Sequence, residues 1–351
     1  MWHRIFLPIL SLSAAMSGLA AQPAPVAAPA LPTLPEFKTW YAFVQRIAKG
    51  LESGDRKFAF EMKKAHVYAK VRCNGELVGA FRSESASTSV EGEIATFNIA
   101  RALGCTDLFQ PATGMELRGK GLVTLTHLLK TATFPPIKEP DRAQVLAEIA
   151  GNPSLLSGVF KQALPVKAVK YYSIERASVP PNGVLNEADP IARFLKNSAP
   201  QPDMEPITPP GIQGRAPART LARQLSNILL VDALAGQWDR YSGGNLHMLV
   251  EDGTAHLIAV DNGGAGFDGD HGNLGKFKAW VTRFDPKVVA RLFALEAFLG
   301  KGGRFLAFHD EHALAQAIKI DEPEHWEVFK DRVRQVAAHV RAAGDGSFFE
   351  K

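Results

Sequence analysis

A chain of 351 residues, 46% hydrophobic and 22% charged, is long enough for one large or two small domains around a buried core. A net charge of +4 is slight, and without a basic stripe it makes no case for a nucleic-acid partner. Only two cysteines, Cys73 and Cys105, are present, and no zinc spacing or nucleophile elbow appears.

The chain opens on Met1-Trp2-His3-Arg4, with one positive charge, followed by an apolar run from Ile5 to Leu19 and the small residues Gly18, Ala20 and Ala21. That is the plan of a signal peptide over 1–21. A retained anchor is the alternative, but the run is short of the ~20 residues of a membrane span. The mature protein is therefore expected to be exported, periplasmic or secreted, with no stable membrane span after cleavage. In that setting Cys73 and Cys105 can pair, or remain two unrelated buried thiols. The Ala/Pro-rich stretch Gln22 to Pro35 reads as a semi-rigid linker.

Trp40, Phe43, Ile47 and Leu51 are spaced as on one face of a helix. Alternation over His66 to Arg72 and a second run over Glu76 to Phe81 flank Asn74-Gly75, a strong hairpin signal. Ser83 to Ser89 is a polar loop, and Glu91 to Leu103 a helix stopped by Gly104, with Glu93 beside its apolar stripe. Further strands are expected at Met115 to Arg118, Leu122 to Leu128 and Val169 to Ile174. The prolines of Ala199 to Pro217 mark a long loop. Beyond Phe267 the pattern is helical, at Pro286 to Leu299, Glu311 to Ile318 and His325 to Ala343.

The centre of the chain is Leu221 to Phe267. A helix over Leu221 to Ala235 leads into the polar turn Gly236 to Asn245. Two short apolar runs follow, Leu246 to Val250 and Ala255 to Val260, separated by a turn containing Asp252-Gly253. The hairpin ends in Asp261-Asn262-Gly263-Gly264. One polar loop thus carries Asp239 and Asn245, and the far end of the hairpin carries Asp261. Phosphoryl transfer uses a carboxylate near the acceptor hydroxyl and an amide oxygen plus a carboxylate for a divalent metal on the phosphates.

These residues resemble the secretory-pathway kinases of the Golgi casein kinase and four-jointed group, relatives of the HipA-like and phosphatidylinositol-kinase-like folds. Three pieces carry the likeness. Glu93 to Leu103, followed by Gln110-Pro111, is similar to the family's Glu-containing helix and the Pro-containing strand entry after it. Asp239-Arg240-Tyr241 through Asn245 resembles its Asp-Arg-His catalytic loop, and Val260 to Phe267 resembles its Asp-Asn-Gly metal motif. The resemblance implies an α+β, two-lobed protein-kinase-like fold, with a strand-rich N-lobe over about 36–175 and a helical C-lobe over about 176–351.

It also implies roles. Asp239 would orient or deprotonate the acceptor hydroxyl, Asn245 and Asp261 would bind Mg²⁺ or Mn²⁺ on ATP or another nucleotide, Glu93 would orient a phosphate-binding cation, and Arg240 would support the loop. The sequence departs from the family where its Phe-Lys-Pro lysine should stand. Phe81-Arg82-Ser83 occupies that place, and an Arg is bulkier and planar. Lys70, on the neighbouring strand, is the alternative cation. Tyr241 replaces the His, and the loop is one residue longer. The expected activity is metal-dependent phosphoryl transfer to a hydroxyl on an exported protein or glycan. The alternatives are a pseudokinase acting as a nucleotide-binding scaffold, or a nucleotidyl transferase on the same fold.

Three other patterns compete for attention. Gly114 to Lys120 starts like a phosphate-binding P-loop, but Gly121 stands where Ser or Thr is needed and the flanks read strand–turn–strand. His309-Asp310-Glu311-His312 is better read as a helix cap at Asp310 than as a metal site. Asp268 to Ala279 begins like a calcium loop but lacks the twelfth-position Glu.

Overall fold

Asn74 and Gly75 sit at φ 50° and 85°, the two positive-φ positions of a tight hairpin turn, and join β2 (Tyr68–Cys73) to β3 (Glu76–Ser83) as the Asn-Gly pair predicts. The computed structural model describes residues 35–63, 67–85, 88–164, 169–170, 190–195, 218–241, 245–251, 254–268 and 273–344. The expected signal peptide and nearly all of the linker lie outside the described residues. So do the Ala199–Pro217 loop, the Asp252-Gly253 turn and most of the glycine loop after Asp268.

β1 (Phe58–Lys63), β4 (Ala112–Leu117) and β5 (Leu156–Gln162) complete a five-stranded antiparallel sheet of order β1-β2-β3-β5-β4. The insertion of β5 between β3 and β4 decides the chemistry. It sets Lys161 opposite Ala80, in a cross-strand row that runs Glu61, Lys70, Ala80, Lys161, Ala112. Residues in one such row point to the same face of the sheet.

Four helices pack in this half among the described residues. α1 (Pro35–Ser53) buries Trp40, Val44, Ile47 and Leu51 at helical spacing. α2 (Val90–Leu103) is capped by the Ser89 side chain at one end and by Gly104, at φ 77°, at the other. Where a strand was expected over Leu122 to Leu128 the chain forms α3 (Gly119–Thr131). Leu122, Leu125 and Leu129 are buried at helical spacing while Val123 is exposed, so burial follows the 3.6-residue period that the β-branched residues obscure. The P-loop-like stretch is thus flanked by strand and helix, not strand–turn–strand. Met115 to Leu117 are still paired residues of β4 and form no loop around an anion. α4 (Glu139–Gly151) then leads into β5.

The second half is built on β6 (Val169–Lys170), β7 (Leu246–Glu251) and β8 (Thr254–Ala259), an antiparallel sheet of order β6-β7-β8. Val169 and Lys170 fall before the expected lobe boundary near 175 but pair with β7 of the second sheet. Around it lie α5 (Pro190–Leu195), α6 (Ala218–Ala235), α7 (Asn273–Trp280), α8 (Pro286–Lys301), α9 (Glu311–Ile318) and α10 (Pro323–Ala343). From Leu225 to Ala235 every residue of α6 is buried, because α2, α5, α7 and α10 all touch it. The Asp310 side chain accepts the His312 and Ala313 backbone N–H groups at 3.0 Å each, the cap of α9.

The two halves are stitched by a parallel bridge between Phe109 and Ala259, with the Gln110 N–H donating to the Ala259 carbonyl at 2.9 Å. Cys73 and Cys105 are both buried, unpaired thiols, so of the two arrangements left open the structure takes the second. Among the described residues, no helix is long and apolar enough to cross a membrane.

Candidate active site

The first turn of α2 is pressed against the segment that follows Asp261. Ser89 Oγ accepts the Gly92 N–H at 2.9 Å, and the Ser89 N–H donates to the Gly263 carbonyl at 3.1 Å. A Cβ at Gly92 would lie 2.5 Å from the Ala265 carbonyl oxygen, so only glycine allows this approach. Glu93 is carried beneath the contact and is 0% exposed. Its Oε2 accepts the Asn262 N–H at 3.0 Å, and its Oε1 accepts from Lys161 Nζ at 2.5 Å.

Lys161 therefore arrives from β5 and meets the helix glutamate. Its Nζ also donates to Asp261 Oδ1 at 2.9 Å, and Arg82 from β3 donates to the same oxygen at 3.0 Å. Burial pushes the Glu93 carboxyl up against the pull of Lys161. Burial penalises the Lys161 cation, but Glu93 and Asp261 outweigh that penalty and hold it protonated above the ordinary lysine value. Burial also penalises the Asp261 carboxylate, and Lys161 and Arg82 reverse this, holding it well below the usual range. Asp261 stands at φ 51°, ψ 61°, a left-handed conformation that Asp tolerates better than most residues. Its side chain remains 43% exposed, so an ionised carboxylate is presented to solvent.

The polar turn after α6 is built around Arg240. This guanidinium, from the middle of the short 3-10 helix Asp239–Tyr241, is buried and donates to both Asp232 oxygens (2.9 and 3.0 Å) and to the Asn245 and Val260 carbonyls (2.7 and 2.8 Å). It also donates to Asn262 Oδ1 at 2.6 Å. The Asn245 amide donates to the Asp239 carboxylate at 2.9 Å and to its carbonyl at 2.7 Å. The Val260 N–H donates to the Asn245 carbonyl at 3.0 Å, so the turn and the start of the Asp261 segment are one hydrogen-bonded unit. Downstream, Phe267 is buried between His325 and the Arg332 guanidinium, which donates to the Gly266 carbonyl at 2.7 Å.

Of the residues singled out in the sequence, Glu93, Arg82 and Asp261 meet in one ion cluster, and Asp239 and Asn245 in the adjoining turn. Lys70, the expected alternative cation, does not join them. It shares the face of the sheet with Lys161 but lies two strands away, about 10 Å at the usual strand spacing, and it pairs with Glu61 at 3.3 Å. Sequence reasoning missed Lys161. The available signal was slight, a lone lysine directly after the apolar pair Val159-Phe160.

Among the described residues no three His, Cys, Asp or Glu side chains form a metal cage. A divalent cation on a nucleotide is commonly held by one or two carboxylates plus the phosphates. Asp261, ionised and accessible, is a fitting oxygen donor, and the Asn245 amide can supply another.

No protein-family model and no curated protein matches the chain. Solved structures do. A Golgi casein kinase with Mn/ADP bound aligns with TM-score 0.56 at 16% identity, over 87% of this chain and 77% of its own. A second Golgi casein kinase structure gives 0.54 at 16%, over 87% and 78%. A hydra Fam20 with sugar gives 0.57 at 15%, over 93% and 96%. At such identities the likeness is one of fold, and it is the two-lobed kinase-like fold that the three sequence pieces resemble.

Proposed function

We propose that this chain is a metal-dependent phosphotransferase that moves the terminal phosphoryl group of a nucleotide to a hydroxyl on an exported protein or glycan. The observation that carries the reading is the convergence of Glu93, Lys161, Arg82 and Asp261 from α2, β5, β3 and the end of β8, beside Asp239 and Asn245. Asp239 would accept a hydrogen bond from the acceptor hydroxyl and take its proton as the oxygen–phosphorus bond forms. The bond from the terminal phosphorus to its bridging oxygen breaks, and the nucleoside diphosphate leaves. Lys161 and Arg82 would face the phosphate oxygens and offset the charge there. Asn245 and Asp261 would hold Mg²⁺ or Mn²⁺, which neutralises phosphate charge when bound. The Mn/ADP in the Golgi casein kinase structure supports nucleotide and manganese as the first ligands to try.

A pseudokinase reading rests on the absence of the Phe-Lys-Pro lysine, and Lys161 supplies a cation at the helix glutamate in its place. No observation favours nucleotidyl transfer. Export rests on residues 1–21, outside the described structure, and is tested by the N-terminus of the mature protein.

Two measurements test the site. Asp261→Asn should abolish the rise in melting temperature that MnCl₂ plus ADP gives the unsubstituted protein, because the anionic donor is lost. Asp239→Asn should keep that rise while Mn²⁺-dependent loss of the terminal phosphate of ATP falls about 10²–10⁴-fold, the scale of a lost general base. Unchanged turnover in Asp239→Asn would show that the acceptor side has been misassigned.

A further inference from the structure

We propose that Gln237 is a positioning residue that sets the separation between the acceptor carboxylate of Asp239 and the metal carboxylate of Asp261. The proposal rests on the phosphotransfer reading above and adds a residue that none of the kinase-like motifs singled out. Gln237 lies two residues before Asp239 and is 0% exposed, so it touches no substrate. Its side-chain amide joins the two loops directly. Oε1 accepts the Asp239 backbone N–H at 2.9 Å, and Nε2 donates to the Asp261 backbone carbonyl at 3.3 Å. One end of the group must accept and the other must donate, which a carboxylate cannot do and an aliphatic side chain cannot imitate.

The bridge is held on both sides. The Gln237 N–H donates to the Asp232 carbonyl at 2.9 Å, tying it to the end of α6, and the Trp238 N–H donates to the Gly264 carbonyl at 3.3 Å. Gly264 leaves the room: a Cβ there would lie 2.3 Å from Gln237 Oε1 and 2.6 Å from Asp239 Cβ. The two loops are therefore spaced by an amide of fixed length and orientation, and each carries a carboxylate assigned a different part of the reaction. Small displacements of such groups cost rate more than affinity, because Asn245, the metal residue of the Asp239 turn, is tied to the Asp261 segment by its own carbonyl, which accepts the Val260 N–H at 3.0 Å, whereas the Asp239 N–H is tied across by the Gln237 amide.

The test uses the whole chain with Gln237→Met and Gln237→Glu, and Gly264→Ala as a variant that strikes the bridge from the opposite side. Three quantities are read: the dissociation constant of Mn²⁺–ADP, the rate of Mn²⁺-dependent ATP hydrolysis, and hydrogen exchange at the Asp239 amide. Hydrolysis is expected to fall about 10–10²-fold, the cost of a misplacement near 1 Å. Mn²⁺–ADP affinity should stay within about threefold (a tenfold change would be about 1.4 kcal/mol), and the Asp239 amide should exchange at least about tenfold faster. Affinity and rate falling in parallel would make Gln237 a purely structural residue and overturn the proposal. Unchanged exchange and unchanged hydrolysis would overturn it as well. If the unsubstituted protein neither binds Mn²⁺–ADP nor hydrolyses ATP, the phosphotransfer reading fails, and the amide exchange alone then decides whether the bridge exists.

Discussion

Replacing Lys161 by methionine is expected to lower metal-dependent turnover about 10²–10³-fold, the loss seen when one preorganised donor to developing charge is removed. The same substitution should destabilise the fold by about 3–5 kcal/mol, because it strands a buried carboxylate. Glu93 is wholly buried and Lys161 only 12% exposed, so neither charge has water to fall back on. The Asn262 N–H would remain as a partner for Glu93, which places the cost at the lower end of that range. Lys161→Met combined with Glu93→Gln separates the two effects. The neutral amide no longer needs a cation, so most of the melting temperature should return while turnover stays low. Recovery of turnover in the double variant would show that Lys161 matters only as a counter-ion. The sign of the pH dependence follows from the raised lysine value. The stability of the pair is complete below the unfolded lysine pKa of about 10.4 and is lost only as pH rises through the higher folded value. Activity between pH 6 and 9 should therefore carry no titration from this group.

Much of this site was legible because its residues announce themselves locally. Asn74-Gly75 fixes a hairpin by backbone conformation alone. Glu93 is the fourth residue of a helix whose stop, Gly104, is plain in the sequence, and Asp239, Asn245 and Asp261 are polar residues at turns beside apolar strands. Lys161 was hidden because its role comes from strand order. Nothing near Phe160 says that β5 inserts between β3 and β4, and only that insertion brings its lysine over the helix glutamate. Lys70 failed for the same reason. It is on the right face but on the wrong strand, and Glu61 on β1, a strand not expected from the sequence, claims it. The strand expected over Leu122 to Leu128 failed differently. Val123, Thr124 and Thr126 carry β propensity, but the leucines set the burial period, and burial of a helical face outweighs a local preference of tenths of a kcal/mol per residue.

Arg240→Ala is expected to cost about 3–5 kcal/mol of stability, and Arg240→Lys to recover only a minor part of it. A guanidinium has five N–H donors, and all five are used here on Asp232, Asn245, Val260 and Asn262. A lysine ammonium has three donors and no fork, so it cannot serve both Asp232 oxygens and three further acceptors at once. With Arg240 only 1% exposed and Asp232 buried, alanine leaves an unpaired carboxylate and several unsatisfied acceptors with no access to water. Burial already pushes the Asp232 carboxyl up, and Arg240 is the opposing influence. Without the arginine the folded value rises further above the unfolded one of about 3.9. Between those values the folded state of the variant binds a proton that the unfolded chain does not, so its stability increases as pH falls. The gap between the variant and the unsubstituted protein should therefore narrow from pH 7.5 toward pH 5 in chemical denaturation. A gap that stays constant or widens over that interval would show that Asp232 is not the charge Arg240 neutralises. The same substitution removes the guanidinium's bonds to Val260 and Asn262, the residues on either side of Asp261. Mn²⁺–ADP affinity and turnover are thus both expected to fall, unlike the rate-only loss expected for Gln237. That contrast distinguishes a residue that holds the two loops in existence from one that sets the distance between them.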